Sequence, residues 1–221
     1  VSVYGSAPGV PDESFDCAPL TAYARSKYQG ELASRRIIEN QRAGHRTRLT
    51  VLRMGTLYGP GDPGNVARLM DRIDRGRFVF PGRGQQRKSL LHVEDAAEAC
   101  LRVARAETHG IFNVAGPAVS MREIVSMIAE LLGRDRNGIR AVSDQFASAA
   151  GRVIGFAGRF HPSARAFEDS LNRFRSTDEF DSSRFALATG FVPRVPLYVG
   201  LAQQAAWHRS KRLQEFSRLL S

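Results

Sequence analysis

The sequence has two cysteines, one tryptophan and three lysines in 221 residues, and no apolar run approaches the ~20 residues that cross a bilayer as a helix. The shortness of the apolar runs excludes a helical membrane protein, and the shortage of cysteine excludes a disulfide-rich secreted scaffold. Cys17 and Cys100 stand alone, match no metal-ligand spacing and read as reduced thiols of a cytoplasmic protein. His45, His92, His109, His161 and His208 also lack ligand spacing, so no metal is expected. Neither a nucleophile elbow nor a Walker loop occurs. A starting methionine is absent too. The opening Val1-Ser-Val-Tyr4 reads as the end of a β-strand, and the chain is expected to be a piece of a longer protein.

Basic side chains outnumber acidic ones by 32 to 22, a net charge of +10. Lys27, Lys88 and Lys211 are the only lysines, so 29 of those charges are arginine. A nucleic-acid surface would gather them on one face, whereas here they are scattered from Arg25 to Arg218. The densest run, His208 to Arg212, reads as the solvated face of a terminal helix. No nucleic-acid partner is expected; anionic small molecules such as nucleotide diphosphates fit the charge.

Hydrophobic spacing predicts helices over 22–41, 66–75, 94–106, 121–132 and 197–219, and strands over 48–54, 78–80, 89–93 and 111–114. Gly44 and Gly133 stand where helix stops belong, and Ser120 with Glu123 forms a capping box. Strands alternating with helices indicate a parallel sheet. Residues 134–180 carry no sustained period and read as irregular, with short helices. His92, on an apolar strand, reads as a satisfied core or cleft residue rather than a ligand. Glu94 and Asp95 complement the dipole of the helix they open. Trp207 and Phe191 read as packing for the last helix.

The sharpest local signal is Tyr23-Ala-Arg-Ser-Lys27, whose i to i+4 spacing puts a phenol and an ammonium on one helical face. A nearby ammonium favours the phenolate, moving a group whose reference pKa is about 10 toward use as an acid or base. The same spacing also suits a tyrosine covered by a lysine stem. A literal Gly-x-Gly-x-x-Gly at Gly59, Gly61 and Gly64 contains Pro60 and Pro63, and reads as a turn that presents Asn65 at a helix start.

Val3-Tyr-Gly5, the Tyr23/Lys27 block, Leu52-Arg-Met-Gly-Thr-Leu-Tyr-Gly-Pro-Gly61, Lys88-Ser-Leu-Leu-His-Val-Glu-Asp95, Gly110-Ile-Phe-Asn-Val114 and Gly190-Phe-Val-Pro193 follow one another in fixed order. In this order and spacing the chain resembles the extended short-chain dehydrogenase/reductase family, in particular its NAD-dependent sugar-nucleotide epimerases, dehydratases and ketoreductases. The resemblance covers nearly the whole chain and is weakest over 134–180. It implies an α/β fold: the C-terminal part of a doubly wound Rossmann-type parallel sheet, with a small, mostly helical substrate lobe. Residues 1–64 would belong to the dinucleotide-binding domain and 65–221 mainly to the lobe, with segments near 87–115 returning to the sheet.

The resemblance makes Tyr23 the acid/base on a sugar hydroxyl or ketone, and Lys27 the group that activates it and holds the nicotinamide ribose. Met54 and Gly55 would pack against the nicotinamide. Thr56, Asn65, Arg87 and Lys88 would meet the substrate, the last three at its diphosphate. Lys88 stands where the family usually has an arginine, and a lysine cannot make the bidentate fork, so Arg87 is expected to compensate. Thr56 replaces an asparagine common in the epimerases, which leaves the sugar open. The family's Gly-rich phosphate loop and its catalytic Ser/Thr, due immediately before Val1, are not in the sequence. Dehydratases carry an Asp-Glu pair where Val1 and Ser2 stand, which argues against dehydration. The implied function is NAD(P)-dependent epimerisation of a nucleotide-activated sugar, as in UDP-hexose 4-epimerases, through a transient keto-sugar. A nucleotide-sugar ketoreductase using NADPH shares every one of these residues. A non-catalytic dinucleotide-binding protein and a truncated remnant are the readings from other classes. NAD or NADP as cofactor, a nucleotide-sugar substrate, pairing as a homodimer and no membrane partner complete the expectations.

Overall fold

The computed structural model describes residues 2–5, 9–41, 47–106, 108–135, 139, 141–142 and 176–219. After a 3-10 turn at Ser2–Tyr4, the elements in chain order are α1 (Ala22–Glu39), β1 (Thr50–Met54), β2 (Thr56–Tyr58), α2 (Asn65–Asp74), β3 (Phe80–Pro81), β4 (Arg87–His92), α3 (Val93–Arg105), β5 (Gly110–Val114), β6 (Ala118–Ser120), α4 (Met121–Leu131), β7 (Ala141–Val142), α5 (Ser183–Thr189) and α6 (Leu197–Leu219). Two compact units divide the chain. The first comprises Val1–Leu57, Ser89–Ala118 and Asp178–Pro196; the second comprises Tyr58–Lys88, Val119–Thr177 and Leu197–Ser221. The expected boundary lies at 64, with 65–221 mainly in the lobe and segments near 87–115 returning to the sheet.

In the first unit, β1 and β5 pair in parallel, with Leu52 beside Phe112, Arg53 beside Asn113 and Met54 beside Val114. Because side chains alternate across a strand, this register sorts them onto two faces. Leu52, Met54, Phe112 and Val114 join Leu91, Ala96, Ala99, Phe185 and Phe191 in one apolar core. Three aromatic rings tie that core together, Phe112 to Phe185 at 5.7 Å and Phe185 to Phe191 at 5.3 Å between centroids. Arg53 and Asn113 point the other way and are equally buried, at 7% and 0% exposure.

Helix α3 holds the returning segment at both ends. At its N-terminus, buried Asp95 accepts hydrogen bonds from the backbone N–H of Arg194 (2.8 Å) and Val195 (3.2 Å). In its last turn, Arg102 donates to the carbonyls of Thr189 and Gly190 while pairing with Glu98 at 2.8 Å. Those carbonyls end α5, where a cation is favoured by the helix dipole and where Gly190 adopts the left-handed conformation, φ +62°. His92 caps α3, its Nδ1 accepting from the Glu94 N–H.

The second unit packs the apolar faces of three helices: Val66, Leu69, Met70 and Ile73 of α2, Met121, Ile124, Val125 and Ile128 of α4, and Leu201 and Ala205 of α6 are all buried. Both bonds of the capping box at Ser120 and Glu123 are made. Asp74 gathers the ends of this bundle. It pairs with Arg134 at 3.0 Å, with Arg212, and with His208 at 3.4 Å. Burial alone would raise its pKa, but hydrogen bonds from Arg134, Arg212 and His208 and the charge of Arg212 outweigh burial and hold it below the usual carboxylate value.

Three expectations change. Ser2–Tyr4 is a 3-10 turn rather than a strand end, because Gly5 turns the chain at φ +64° and the Tyr4 side chain is committed to the interior. Phe191 belongs to the core of the first unit, while Trp207 is half-buried on α6 under the Lys211 ammonium, 5.7 Å from its ring. The helix α5 was not foreseen, being seven residues long with no side-chain cap. Gly44, His45, His161 and residues 143–175 lie outside the described residues.

Phe185→Ala should lower stability by about 3–5 kcal/mol, read from urea unfolding, because it empties the centre of the aromatic triad. Asp74→Asn should destabilise the protein near pH 7. That difference should be constant above the unfolded carboxylate value of about 4 and shrink as pH falls through the lower folded value, since a depressed pKa contributes stability only to the ionised form. Thermal melts of both proteins between pH 3 and 8 check it.

Candidate active site

Helix α1 begins at Thr21, whose Oγ1 accepts the Ala24 N–H at 3.1 Å as an N-cap. Of its eighteen residues only Ala24 and Glu31 are buried. Tyr23 is 65% exposed, and the Lys27 Nζ stands 5.4 Å from the centre of its ring. The helical spacing thus brings the phenol and the ammonium together on an open face. Among the described residues no hydrogen bond joins the Tyr23 hydroxyl or the Lys27 ammonium to the protein, and the ammonium lies over the ring.

Beneath α1 lies a buried polar network. Arg53 donates from Nε and Nη2 to the two carboxylate oxygens of Glu31, at 3.0 and 2.7 Å, and from Nη1 to the Tyr4 hydroxyl at 2.9 Å. Tyr4 donates in turn to Asn113 Oδ1 at 2.7 Å. Asn113 is occupied on its remaining groups as well, its Nδ2 donating to the Pro11 carbonyl and its backbone N–H to the Glu13 carboxylate at 2.6 Å. Burial works against the Arg53 charge, but the hydrogen bonds to Glu31 and Tyr4 more than offset it and hold the guanidinium above its usual pKa. Burial raises the Tyr4 pKa, against the opposing effect of Arg53, so the phenol keeps the proton it gives to Asn113.

The strand ends that follow are built on close backbone approach. Gly55 donates to the Val114 carbonyl at 2.8 Å, and a Cβ at Gly55 would stand 2.9 Å from the Ser89 carbonyl oxygen and 3.2 Å from the Ala115 Cβ. Gly116 is tighter, with a Cβ there only 2.1 Å from the Leu90 oxygen. Met54 and Thr56 flank Gly55 and are half-buried. These are the C-terminal ends of parallel strands, where open α/β sheets present their ligand sites.

Tyr23, Lys27, Met54, Gly55 and Thr56 therefore belong to the first unit, and Asn65, Arg87 and Lys88 to the second. Asn65 is the first residue of α2, exposed, its Oδ1 accepting from Arg68 at 3.2 Å. Arg87 is exposed at the start of β4, whereas Lys88 is buried with its ammonium donating to Ser176 Oγ at 3.2 Å. The Gly59–Gly64 stretch is a turn, Asp62 N–H to Gly59 carbonyl, that ends as the N-cap of α2. A cleft of about 410 Å³ in the first unit is lined by Ser89, Gly116, Glu179, Asp181 and neighbours, and none of the candidate catalytic, cofactor-binding or substrate-binding residues lines it. Asp95 and the Glu31–Arg53 pair were missed as well. Asp95 reads locally as a carboxylate complementing the helix dipole, and Glu31 and Arg53 as ordinary charges.

Residues 1–115 match the NAD dependent epimerase/dehydratase family, and the chain belongs to that family. It is 28% identical over 195 residues to a dTDP-4-dehydro-6-deoxy-D-allose reductase of Streptomyces, covering 85% of this chain and 50% of the relative. It is 28% identical over 137 residues to the N-acetyl-alpha-D-glucosaminyl-diphospho-ditrans,octacis-undecaprenol 4-epimerase of Escherichia coli O157:H7, covering 61% of this chain and 41% of the relative. Among solved structures, UDP-glucuronic acid 4-epimerase from Bacillus cereus in complex with NAD superimposes with a TM-score of 0.71 at 19% identity, over 95% of this chain and 59% of that one. The fold is accordingly α/β, part of a Rossmann-type domain. The chain spans about half the length of the curated relatives it matches. No helix among the described residues is long and apolar enough to cross a membrane.

Tyr23 and Lys27 side by side on an open face, with a strand end trimmed to glycine, are compatible with the nicotinamide riboside half of a dinucleotide. Gly55→Ala is expected to cost about 1–3 kcal/mol of stability, because its methyl meets a fixed carbonyl rather than a movable side chain. Urea unfolding of the variant checks this, with Gly30→Ala, where a Cβ meets nothing within 4 Å, as the control.

Proposed function

We propose that the protein carrying this chain epimerises a nucleotide-activated sugar through a transient keto-sugar, as UDP-hexose 4-epimerases do. The observation that carries the proposal is the exposed Tyr23/Lys27 pair on α1, in a chain of the NAD dependent epimerase/dehydratase family. NAD, when bound, supplies the acceptor and donor of hydride. Tyr23 takes the hydroxyl proton as the sugar C–H is oxidised, and returns it to the carbonyl oxygen when that carbon is reduced on its other face. Lys27 stabilises the phenolate that Tyr23 must be before it takes that proton and becomes again on returning it, and offers its remaining N–H donors to ribose hydroxyls. Met54 and Gly55 form a wall for the nicotinamide, and Thr56 meets the sugar. Asn65, Arg87 and Lys88 serve the substrate diphosphate, with exposed Arg87 the more accessible of the two cations.

The reductases among the relatives favour a second reading, a ketoreductase that carries out only the return half. Val1 and Ser2 stand where a dehydratase would need carboxylates, so elimination of water is not proposed.

Incubating the full-length protein with UDP-glucose, UDP-galactose and UDP-glucuronic acid should interconvert a C4 epimer pair, followed by proton NMR, without net change in nicotinamide absorbance. A stoichiometric absorbance change on a 4-keto sugar nucleotide would instead establish the reductase. Tyr23→Phe should lower kcat by about 10²–10⁴-fold in either case. A Tyr23→Phe protein that turns over like the parent would sink the assignment.

A further inference from the structure

Tyr23, Lys27 and Glu31 occupy positions i, i+4 and i+8 of α1 and form one stripe along the helix. The first two are open to solvent. The third is 7% exposed and holds a guanidinium that is itself 7% exposed. Burying an ion pair carries a desolvation cost that apolar side chains of similar size avoid, so this pair is poorly explained as a device for stability. What it offers over an apolar contact is direction. A bidentate carboxylate–guanidinium fork fixes the plane of both groups, and hence the rotation of one element about its axis relative to the other.

The two elements so fixed are the ones the proposed chemistry needs in register. Glu31 lies one turn beyond Lys27, and Arg53 immediately precedes Met54 and Gly55. Arg53 is in turn held from its far side. Its third contact is the Tyr4 hydroxyl, which is hydrogen-bonded to Asn113, its register partner on β5. The leverage is large. An atom about 6 Å from a helix axis moves on the order of 1 Å for every 10° of rotation, and misplacing a reacting group by about 1 Å can cost 10²-fold in rate.

We propose that Glu31 and Arg53 are positioning residues, whose buried fork sets the rotation of α1 and so presents Tyr23 and Lys27 to the reacting sugar. The proposal rests on the acid/base reading of Tyr23 given above.

The test is the double variant Glu31→Leu/Arg53→Met in the full-length protein, beside the parent and Tyr23→Phe. Replacing both partners with apolar side chains keeps the site filled and should leave the melting temperature within a few degrees of the parent. With the fork gone, kcat should fall about 10–100-fold while KM stays within about twofold. Amide hydrogen exchange should quicken over residues 22–31 and stay unchanged over 50–54 and 110–114. A merely structural pair predicts the opposite, so a stable double variant with parental kcat or parental exchange in α1 overturns the proposal. The exchange arm needs no substrate and decides alone if the parent turns over none of the sugar nucleotides. Parental turnover by Tyr23→Phe, by contrast, overturns the acid/base reading and leaves the exchange result standing. Should the double variant fail to fold, Glu31→Gln keeps the shape and removes the charge. It is expected to lower kcat about tenfold at unchanged KM, and parental kcat there also overturns the proposal.

Discussion

Arg53 lies between a sheet and a helix with three of its N–H groups aimed at protein oxygens, and its neighbours are arranged to answer its charge. Glu31 supplies the counter-charge from α1, Tyr4 an acceptor from the first turn, and Asn113 the acceptor that keeps Tyr4 oriented. A buried charge without partners would cost several kcal/mol, so these groups stand or fall together. The consequence is a sheet with unlike faces: rings and aliphatic chains on the side of α3 and α5, a closed polar circuit on the side of α1. Helices on both faces of a parallel sheet are the usual arrangement of doubly wound α/β domains. Here the two faces achieve it by different chemistry, and the directional one lies under the helix that carries the acid/base pair.

The second unit shows the same economy with fewer parts. Asp74, at the end of α2, collects cations from the segment after α4 and from α6, so one carboxylate orders three pieces of chain around a core that is otherwise apolar. Its partners are half-exposed arginines and a buried histidine. The cluster consequently works as a clasp on the bundle rather than as a site of chemistry.

Much of this was legible where cause and effect lie close in sequence. The capping box at Ser120 and Glu123 needs only four residues to recognise, and the Tyr23/Lys27 face only five. The helices of the second unit announce themselves by period, and α6 matches its predicted limits. The ordered motifs also carried the family, because they follow one another in one order along the chain. Legibility failed where a residue's role is set across the fold. Glu31 looks like any surface carboxylate on a charged helix, and only its partner 22 residues away on a strand shows otherwise. Asp95 satisfied the simpler reading of a dipole-compensating carboxylate, while its oxygens in fact hold a backbone segment about a hundred residues downstream. The Tyr4 segment failed for a related reason: alternation predicts an extended strand, but a side chain drawn into the interior and a glycine with positive φ bend it.

The first unit is written in three separated stretches, and its last, Asp178–Pro196, carries Phe185 and Phe191 into the core. During synthesis the residues of β1 and β5 leave the ribosome long before these rings do. The unit that begins the chain therefore cannot finish its core until most of the chain has been made. Such non-local closure slows folding and prolongs the exposure of Phe112 and its neighbours. For a cell making this protein, the vulnerable interval is the wait for residues beyond 178, when the part of the apolar face that Phe185 and Phe191 cover is still open.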